Sequence, residues 1–124
     1  MEKIALAQRA LDSLESILTE PFSVIVRDAT IQRFEYSSEA VWKALRVWLY
    51  QHESIEVNHP RGCYRAMFQI GRIDESLSQQ LLILVEDRNR TSHAYIETLA
   101  QAVYEPIPQH LKALRAVLES IERN

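Results

Sequence analysis

The stretch DRNRTSHAY, residues 87–95, holds the side chains with the clearest potential for chemistry. His93 can move protons near neutral pH, and Arg88 presents a planar fork of N–H donors that suits a phosphate group. Together they suit cleavage of a phosphodiester by the ribose 2′-hydroxyl, a reaction that needs no metal ion. The same residue types also fit a frayed helix end or a structural hydrogen-bond cluster, so both interpretations stay open here.

The other reactive side chains form no recognisable site. Cys63 is the single cysteine, has no base beside it in the sequence, and is expected to be a small buried thiol. His52 and His59 are expected to be exposed around one connection, and His110 has no apparent partner in the last helix. One cysteine and four scattered histidines give no metal-binding spacing, so neither a metal ion nor another cofactor is expected.

The composition predicts one small helical domain. A chain of 124 residues that is 47% hydrophobic and 25% charged has the balance of a globular protein with one core. It contains only two glycines and four prolines, against averages of about 7% and 5%. Scarce turn residues favour a few long helices over a many-turned β-sandwich.

Charge and hydropathy limit the possible partners. The net charge of −3 is not that of a strong, general nucleic-acid binder, so any RNA contact must depend on a local site. The N-terminal MEKIALAQRALDSLES lacks the apolar region of a signal peptide. No apolar run approaches the roughly 20 residues that a membrane span needs. A cytoplasmic protein without membrane contact is therefore expected.

Apolar spacing predicts four main amphipathic helices and one short helix. They are expected at residues 3–19, 28–52, 58–71, 74–93 and 97–123. Asp28 or Thr30 is the expected N-cap of the second helix and Asn58 that of the short one. Pro106 and Pro108 should kink or divide the last helix. The predicted fold is an all-α, antiparallel up-and-down four-helix bundle with an additional short helix, forming a single domain over residues 1–124.

Helical phasing places part of the polar stretch on the core side of the fourth main segment. At about 100° per residue, Arg88 lies at the centre of the preceding leucine and valine stripe, and Ser92 and Tyr95 fall within about 40° of it. Asn89 and His93 share a neighbouring face. Three arrangements remain open: the helix ends near residue 90, the stripe opens into a polar cleft, or it faces a second subunit.

A joint role of Arg88 and His93 sets a geometric condition. On an ideal helix the two side chains point about 140° apart. They converge on one phosphate only if the helix breaks between them, or if two chains pool their motifs across a two-fold axis. Ser38 interrupts the apolar stripe of the second helix and is a further candidate for the same cleft, with a hydroxyl bonded to its own helix as the structural alternative.

Two segments resemble a known family. RNRTSHAY matches the Arg-x4-His-x-Tyr pattern of HEPN proteins, in the branch that pairs with minimal nucleotidyltransferases. QRFEYSSEAVWKALRVWL, residues 32–49, resembles the second helix of the nucleotidyltransferase substrate-binding proteins. The resemblance covers roughly residues 4–122 and implies an all-α bundle that forms a homodimer.

The resemblance implies two competing functions. In the favoured one, the chain is a metal-independent endoribonuclease toxin in which Arg88 and His93 are the catalytic pair and Asn89 is a polar helper. Tyr95 then corresponds to the tyrosine that a partner nucleotidyltransferase adenylylates to silence the toxin. In the other, the chain is a non-catalytic subunit that presents an RNA or nucleotide-like substrate to that nucleotidyltransferase. Ser92 and Ser38 are expected to line the substrate groove in either case.

Overall fold

The computed structural model describes residues 1–123, in which every regular element is helical and no β-strand occurs. The elements are α1 (Glu2–Ile17), α2 (Val24–Glu53), α3 (Pro60–Gln69), α4 (Glu75–Arg90), a 3₁₀ turn (Thr91–His93), α5 (Glu97–Tyr104) and α6 (Ile107–Glu122). The predicted all-α class is confirmed. The finer up-and-down four-helix topology stays a prediction.

The long helix α2 begins earlier than its apolar stripe indicates. Ser23 is its N-cap, and the hydroxyl of Ser23 accepts a hydrogen bond from the backbone N–H of Val26 at 3.0 Å. The predicted caps, Asp28 and Thr30, are wrong because both lie inside the helix, where the Thr30 hydroxyl donates to the Val26 carbonyl at 2.7 Å. The first turn of α2 adds only the partly buried Val26 to the apolar core, which is too little for hydrophobic periodicity to reveal it.

The short helix α3 is capped by a histidine. The His59 ring accepts from the Gly62 N–H at 3.0 Å, so the predicted Asn58 cap is wrong by one position. Pro60 occupies the first turn, where its missing N–H costs nothing, as predicted. At the other end Gly71 has a φ of 79°, the left-handed conformation that favours glycine after a helix. The predicted C-terminal glycine is confirmed.

The core surrounds α2, which contacts every other helix. Trp42 and Trp48 are buried there, as predicted, and Arg72 covers the Trp48 ring with its guanidinium carbon 4.8 Å from the ring centroid. Each fully buried leucine of this core contributes about 1.5–3 kcal/mol relative to an exposed one. In residues 1–123 no helix combines the length and the apolar character that crossing a bilayer requires.

The last predicted helix is divided in two. The helix α5 ends at Tyr104 and α6 begins at Ile107, so the break falls at Pro106, as expected. Neither Pro106 nor Pro108 has an N–H to donate, which interrupts the hydrogen-bond ladder. The ladder resumes where the His110 N–H donates to the Pro106 carbonyl at 3.1 Å. This restart determines where the His110 side chain enters the interior.

Candidate functional site

The helix α4 ends within the polar stretch. The Thr91 hydroxyl lies 2.7 Å from the Arg88 carbonyl, and Thr91–His93 form a 3₁₀ turn in place of a further α-helical turn. The α-helix ends at Arg90, so Ser92 and Tyr95 do not lie on the core side of α4 as predicted. Ser92 is exposed, and Tyr95 is 81% exposed. Of the three arrangements left open by the sequence, the helix end near residue 90 is the one observed.

Arg88 is held between α4 and α2 by two carboxylates. Its Nη1 donates to Glu35 Oε2 at 3.4 Å, and its Nη2 lies 3.6 Å from Glu39 Oε1. The Arg88 side chain is 27% exposed, so its guanidinium is at the surface and not sealed in the core. Sequence reasoning missed both carboxylates, although their spacing of four residues in α2 places them on one helix face.

Thr91 completes this cluster. Its hydroxyl accepts from Arg88 Nη1 at 3.1 Å and lies 3.0 Å from Glu35 Oε2, to which it can donate. Because the carboxylates are about one third exposed, solvent screening limits each ion pair to about 0–1 kcal/mol. The carboxylate partners of the Arg88 guanidinium are therefore weakly bound and can be displaced by another anion.

Two buried polar side-chain atoms, one on α2 and one on α4, lack a hydrogen-bond partner among residues 1–123. They are Arg88 Nε and Ser38 Oγ. Ser38 is 3% exposed, and its hydroxyl does not make the bond to its own helix that was the structural alternative. Such atoms are uncommon in folded proteins. Each atom can donate a hydrogen bond to an oxygen atom of a ligand that reaches it.

The remaining motif side chains lie on the surface. Asn89, His93 and Tyr95 are exposed, and the Ser92 hydroxyl donates to the Asn89 carbonyl at 3.1 Å. The His93 and Tyr95 rings lie 6.3 Å apart between centroids, tilted by 60°. Among the described residues no hydrogen bond or ion pair joins Arg88 to His93. One chain thus brings His93 beside Tyr95 but does not link it directly to Arg88.

A buried carboxylate–imidazole pair lies directly before Arg88. Asp87 Oδ2 is 2.7 Å from His110 Nε2, and the two residues are only 8% and 5% exposed. The other Asp87 oxygen accepts from Arg90 Nη1 at 3.3 Å. The prediction that His110 has no partner is wrong, because the break at Pro106 brings α6 back against α4. Sequence spacing alone carries no signal for a contact between residues so far apart in the chain.

An ion pair between Arg27 and Glu97 holds the start of α5, which follows the polar stretch of residues 87–95. Arg27 on α2 is 2% exposed, and its Nη1 and Nη2 donate to the two Glu97 oxygens at 2.5 and 3.0 Å. The hydrogen bond from Arg27 lowers the pKa of Glu97, and the same bond raises the pKa of Arg27. Since Glu97 begins α5, residues 91–97 are held at both ends by contacts with α2.

Other candidates stay outside this region. Cys63 is buried, and burial raises the pKa of its thiol to about 11, so the thiol is protonated at neutral pH. His52 is exposed at the end of α2, where its ring stacks on Trp48 at 5.1 Å. Within residues 1–123 no three His, Cys, Asp or Glu side chains are grouped as metal ligands.

A comparison of the sequence with models of protein families identifies the family of this chain. A family model described as "Nucleotidyltransferase substrate binding protein like" matches residues 2–123. The chain belongs to this family. The recognition made from the polar stretch and from residues 32–49 is thereby confirmed. No curated protein shows a significant match.

Solved structures place this nucleotidyltransferase substrate binding protein-like chain among close structural relatives. A protein from Thermus thermophilus is 36% identical, with a TM-score of 0.89 over 94% of this chain and 99% of that one. HI0074 from Haemophilus influenzae, described as having the fold of a substrate binding domain of a nucleotidyltransferase, is 25% identical, with a TM-score of 0.78 over 97% and 99% of the two chains.

A more distant structure shares the fold of this family. It is a tri-AMPylated HEPN toxin from Shewanella oneidensis in complex with an MNT antitoxin. Its sequence is 20% identical, with a TM-score of 0.78 over 98% of this chain and 94% of that one. At this identity the comparison establishes the shared helical fold.

Proposed function

We propose that this chain is the HEPN component of a cytoplasmic toxin–antitoxin pair and cleaves RNA without a metal ion. The observation that carries the proposal is the placement of two side chains at the end of α4. Arg88 is partly exposed beside α2, and His93 is exposed on the 3₁₀ turn that follows. Both can therefore be approached by a phosphate from solvent, and the acidic net charge restricts RNA contact to this local site.

The chemistry follows from the two side-chain types. A neutral His93 imidazole takes the proton of a ribose 2′-hydroxyl, and the 2′-oxygen attacks the adjacent phosphorus. The bond from phosphorus to the 5′-oxygen breaks, and that oxygen leaves with a proton from an imidazolium. The products are a 2′,3′-cyclic phosphate and a 5′-hydroxyl. The Arg88 fork balances the charge on the phosphate oxygens, and the Asn89 amide is a polar helper.

The proposed active form is a homodimer. Since Arg88 and His93 of one chain share no direct contact, two copies meeting around the end of α4 supply the acid, the base and the arginines together. Ser92 is exposed on the same turn and is the first proposed groove residue. Ser38 is the second, because its buried hydroxyl is unpartnered within residues 1–123. A monomer in sedimentation at micromolar concentration contradicts the shared site.

Tyr95 is the proposed point of silencing by a minimal nucleotidyltransferase. Its phenol is 81% exposed, and its ring lies 6.3 Å from that of His93. The phenolic oxygen attacks the α-phosphorus of ATP, pyrophosphate leaves, and the phenol proton is released. The attached AMP then occupies the space beside His93 and brings a negative phosphate that repels RNA. The AMPylated Shewanella toxin with its MNT antitoxin supports this assignment by its shared fold.

The ribonuclease proposal is tested with purified protein and a set of RNAs in EDTA. We expect the wild type to leave 2′,3′-cyclic ends, and His93→Ala to lose about 100-fold or more in rate because general acid–base catalysis is removed. His52→Ala is the matched control, since His52 is also exposed but lies at the far end of α2. Equal cleavage by wild type and His93→Ala would exclude the proposed role of His93.

The silencing proposal is tested by mass spectrometry after incubation with ATP and the proposed partner, a minimal nucleotidyltransferase. We expect the mass of one or more AMP groups on Tyr95 and none on Tyr95→Phe. Tyr50→Phe is the control, because Tyr50 is 64% exposed on α2, away from His93. Modification that persists in Tyr95→Phe at the wild-type level excludes Tyr95 as the acceptor.

A non-catalytic substrate-binding subunit is the second candidate. It is favoured by the neutralisation of Arg88 by Glu35 and Glu39, and by the likeness to HI0074, whose fold is described as that of a substrate binding domain. In that case the groove holds an RNA or nucleotide-like substrate for the partner enzyme without cutting it. Growth arrest on expression of the chain alone supports the toxin, whereas binding of RNA without cleavage or arrest supports the subunit.

A further inference from the structure

Asp87 and His110 form a buried hydrogen-bonded pair next to Arg88, and the proposed reaction does not use either side chain. The two side chains are sealed between α4 and α6, at a distance of 2.7 Å. Neither reaches solvent freely, so neither can contact RNA directly. Burying a carboxylate is unfavourable unless it is paired. Because a carboxylate only accepts hydrogen bonds, His110 Nε2 must carry a proton directed at Asp87.

His110 contacts both of the helices that hold Arg88. Through Asp87 it is bonded to the last turn of α4, one residue before Arg88. Its ring also stacks on Phe34 of α2, with centroids 5.4 Å apart and planes 18° from parallel. Phe34 directly precedes Glu35, the residue that accepts hydrogen bonds from Arg88 and Thr91.

Asp87 is bonded on both sides of the helix end. His110 donates to one of its oxygens from the interior, and Arg90 donates to the other from the surface. Arg90 is the last residue of α4, and the His93 turn follows immediately. A helix end frays unless its last turn is held by such contacts. The position of Arg88 and the start of the His93 turn therefore depend on Asp87.

We propose that His110 is a positioning residue, which acts through Asp87 to fix the last turn of α4 and hence the Arg88 guanidinium. The expected effect on the rate of RNA cleavage rests on the proposed ribonuclease function. The expected effect on the order of the Arg88 side chain does not. Within residues 1–123 His110 forms no hydrogen bond or ion pair with Arg88 or His93, and it is buried away from solvent, so it is not proposed as a catalytic residue. Its effect is on the orientation of the phosphate-binding group.

The experiment compares two substitutions of similar size. His110→Leu keeps the bulk against Phe34 but removes the N–H donor, whereas His110→Gln keeps an N–H near the position of Nε2. In the RNA cleavage assay we expect His110→Leu to lower kcat about 10- to 100-fold with KM within about twofold. His110→Gln should recover most of that loss. His52→Leu is the matched control, an exposed histidine that also stacks on an aromatic ring.

A second readout follows Arg88 without any reaction. The Nε–Hε group of Arg88 is buried, so its NMR signal reports on the order of the guanidinium. We expect hydrogen exchange of this group to accelerate at least about tenfold in His110→Leu and to stay near wild type in His110→Gln and His52→Leu. This result is independent of whether RNA is cleaved.

The outcomes separate the inference from the function on which it rests. If the wild type cuts no RNA, the proposed function fails, and Arg88 exchange alone decides the role of His110. If His110→Leu lowers only the melting temperature, while kcat and Arg88 exchange stay at wild-type values well below that temperature, His110 is merely structural and the inference is overturned. Should His110→Leu not fold, Asp87→Asn replaces it, and unchanged kcat and exchange in that variant overturn the inference equally.

Discussion

At the scale of single residues, two kinds of anion compete for the Arg88 guanidinium. They are the carboxylates of Glu35 and Glu39, which contact it, and the RNA phosphate that it is proposed to bind. Glu35 has a second partner in Thr91, so it contributes to the orientation of the cluster. Glu39 contacts Arg88 at 3.6 Å and is also bonded to Trp42 and paired with Lys43. Its contact with Arg88 is therefore the more dispensable of the two. We infer that the main effect of the Glu39 charge is to weaken phosphate binding by Arg88, and that Glu39 contributes little to the orientation of the guanidinium.

Glu39→Gln should strengthen RNA binding at low ionic strength. The ion pair with Arg88 is partly exposed and contributes about 0–1 kcal/mol, so its loss should lower the Kd for a short RNA by up to about fivefold. Fluorescence anisotropy at low salt measures this effect, which should disappear above about 0.5 M salt through screening. Glu53→Gln removes the same charge from the far end of α2. Equal effects of both substitutions would show that only the net charge matters.

Residue identities in the polar stretch were predictable, but most of their contacts were not. Types and spacing alone single out Arg88 and His93, because few side chains bind phosphate or move protons near neutral pH. The contacts of Glu35 and His110 join residues far apart in the chain, and one sequence contains no information on such pairs. Phasing failed at Ser92 and Tyr95 since it assumes a continuing helix, whereas the Thr91 hydroxyl helps to end it.

At the scale of elements, helix ends decide where the site lies. Apolar spacing predicted the order of the helical segments, because burial of one face is what stabilises them, but the last predicted helix is two helices, α5 and α6. It placed the start of α2 wrongly, since Ser23 is a polar cap and the first turn adds only the partly buried Val26 to the core. The break between α5 and α6 was also predictable, because proline removes a donor regardless of tertiary contacts.

The C-terminal end of α2 offers a stability prediction. Ser54 is the one non-glycine residue in the described chain with a positive φ, at 56°. Relief of the left-handed strain should exceed the entropic cost of glycine, so Ser54→Gly should raise the free energy of unfolding by about 0.5–1 kcal/mol. Urea denaturation measures the change. Ser54→Ala, which keeps the strain, is the control, and a glycine variant no more stable than this one contradicts the argument.

At the scale of the whole molecule, α2 contacts both ends of the segment of residues 88–97. Glu35 and Glu39 contact the end of α4, and Arg27 contacts the start of α5, so one helix holds residues 88–97 on both sides. The exposed residues between these contacts, including His93 and Tyr95, are thus carried on a short loop with fixed ends. Loss of either contact should loosen this loop before it unfolds the core.

The contact between Arg27 and Glu97 predicts a specific acid sensitivity. The hydrogen bond from Arg27 lowers the pKa of Glu97 in the folded state, so the unfolded chain binds a proton there more readily. The stabilisation is therefore fully present above the unfolded pKa of Glu97 and is lost as the pH falls through the lower, folded pKa. At neutral pH, Glu97→Gln should be less stable than the wild type, and this difference should shrink steadily in the acid range.

Melting temperatures of wild type and Glu97→Gln, measured from about pH 7 to about pH 3, test this linkage. Glu105→Gln is the matched control, an exposed carboxylate directly after the same helix, and its difference from wild type should not follow the same course. If the two glutamine variants behave alike, the buried Arg27 gains nothing specific from Glu97. Residues 91–97 would then be held firmly at their α4 end alone.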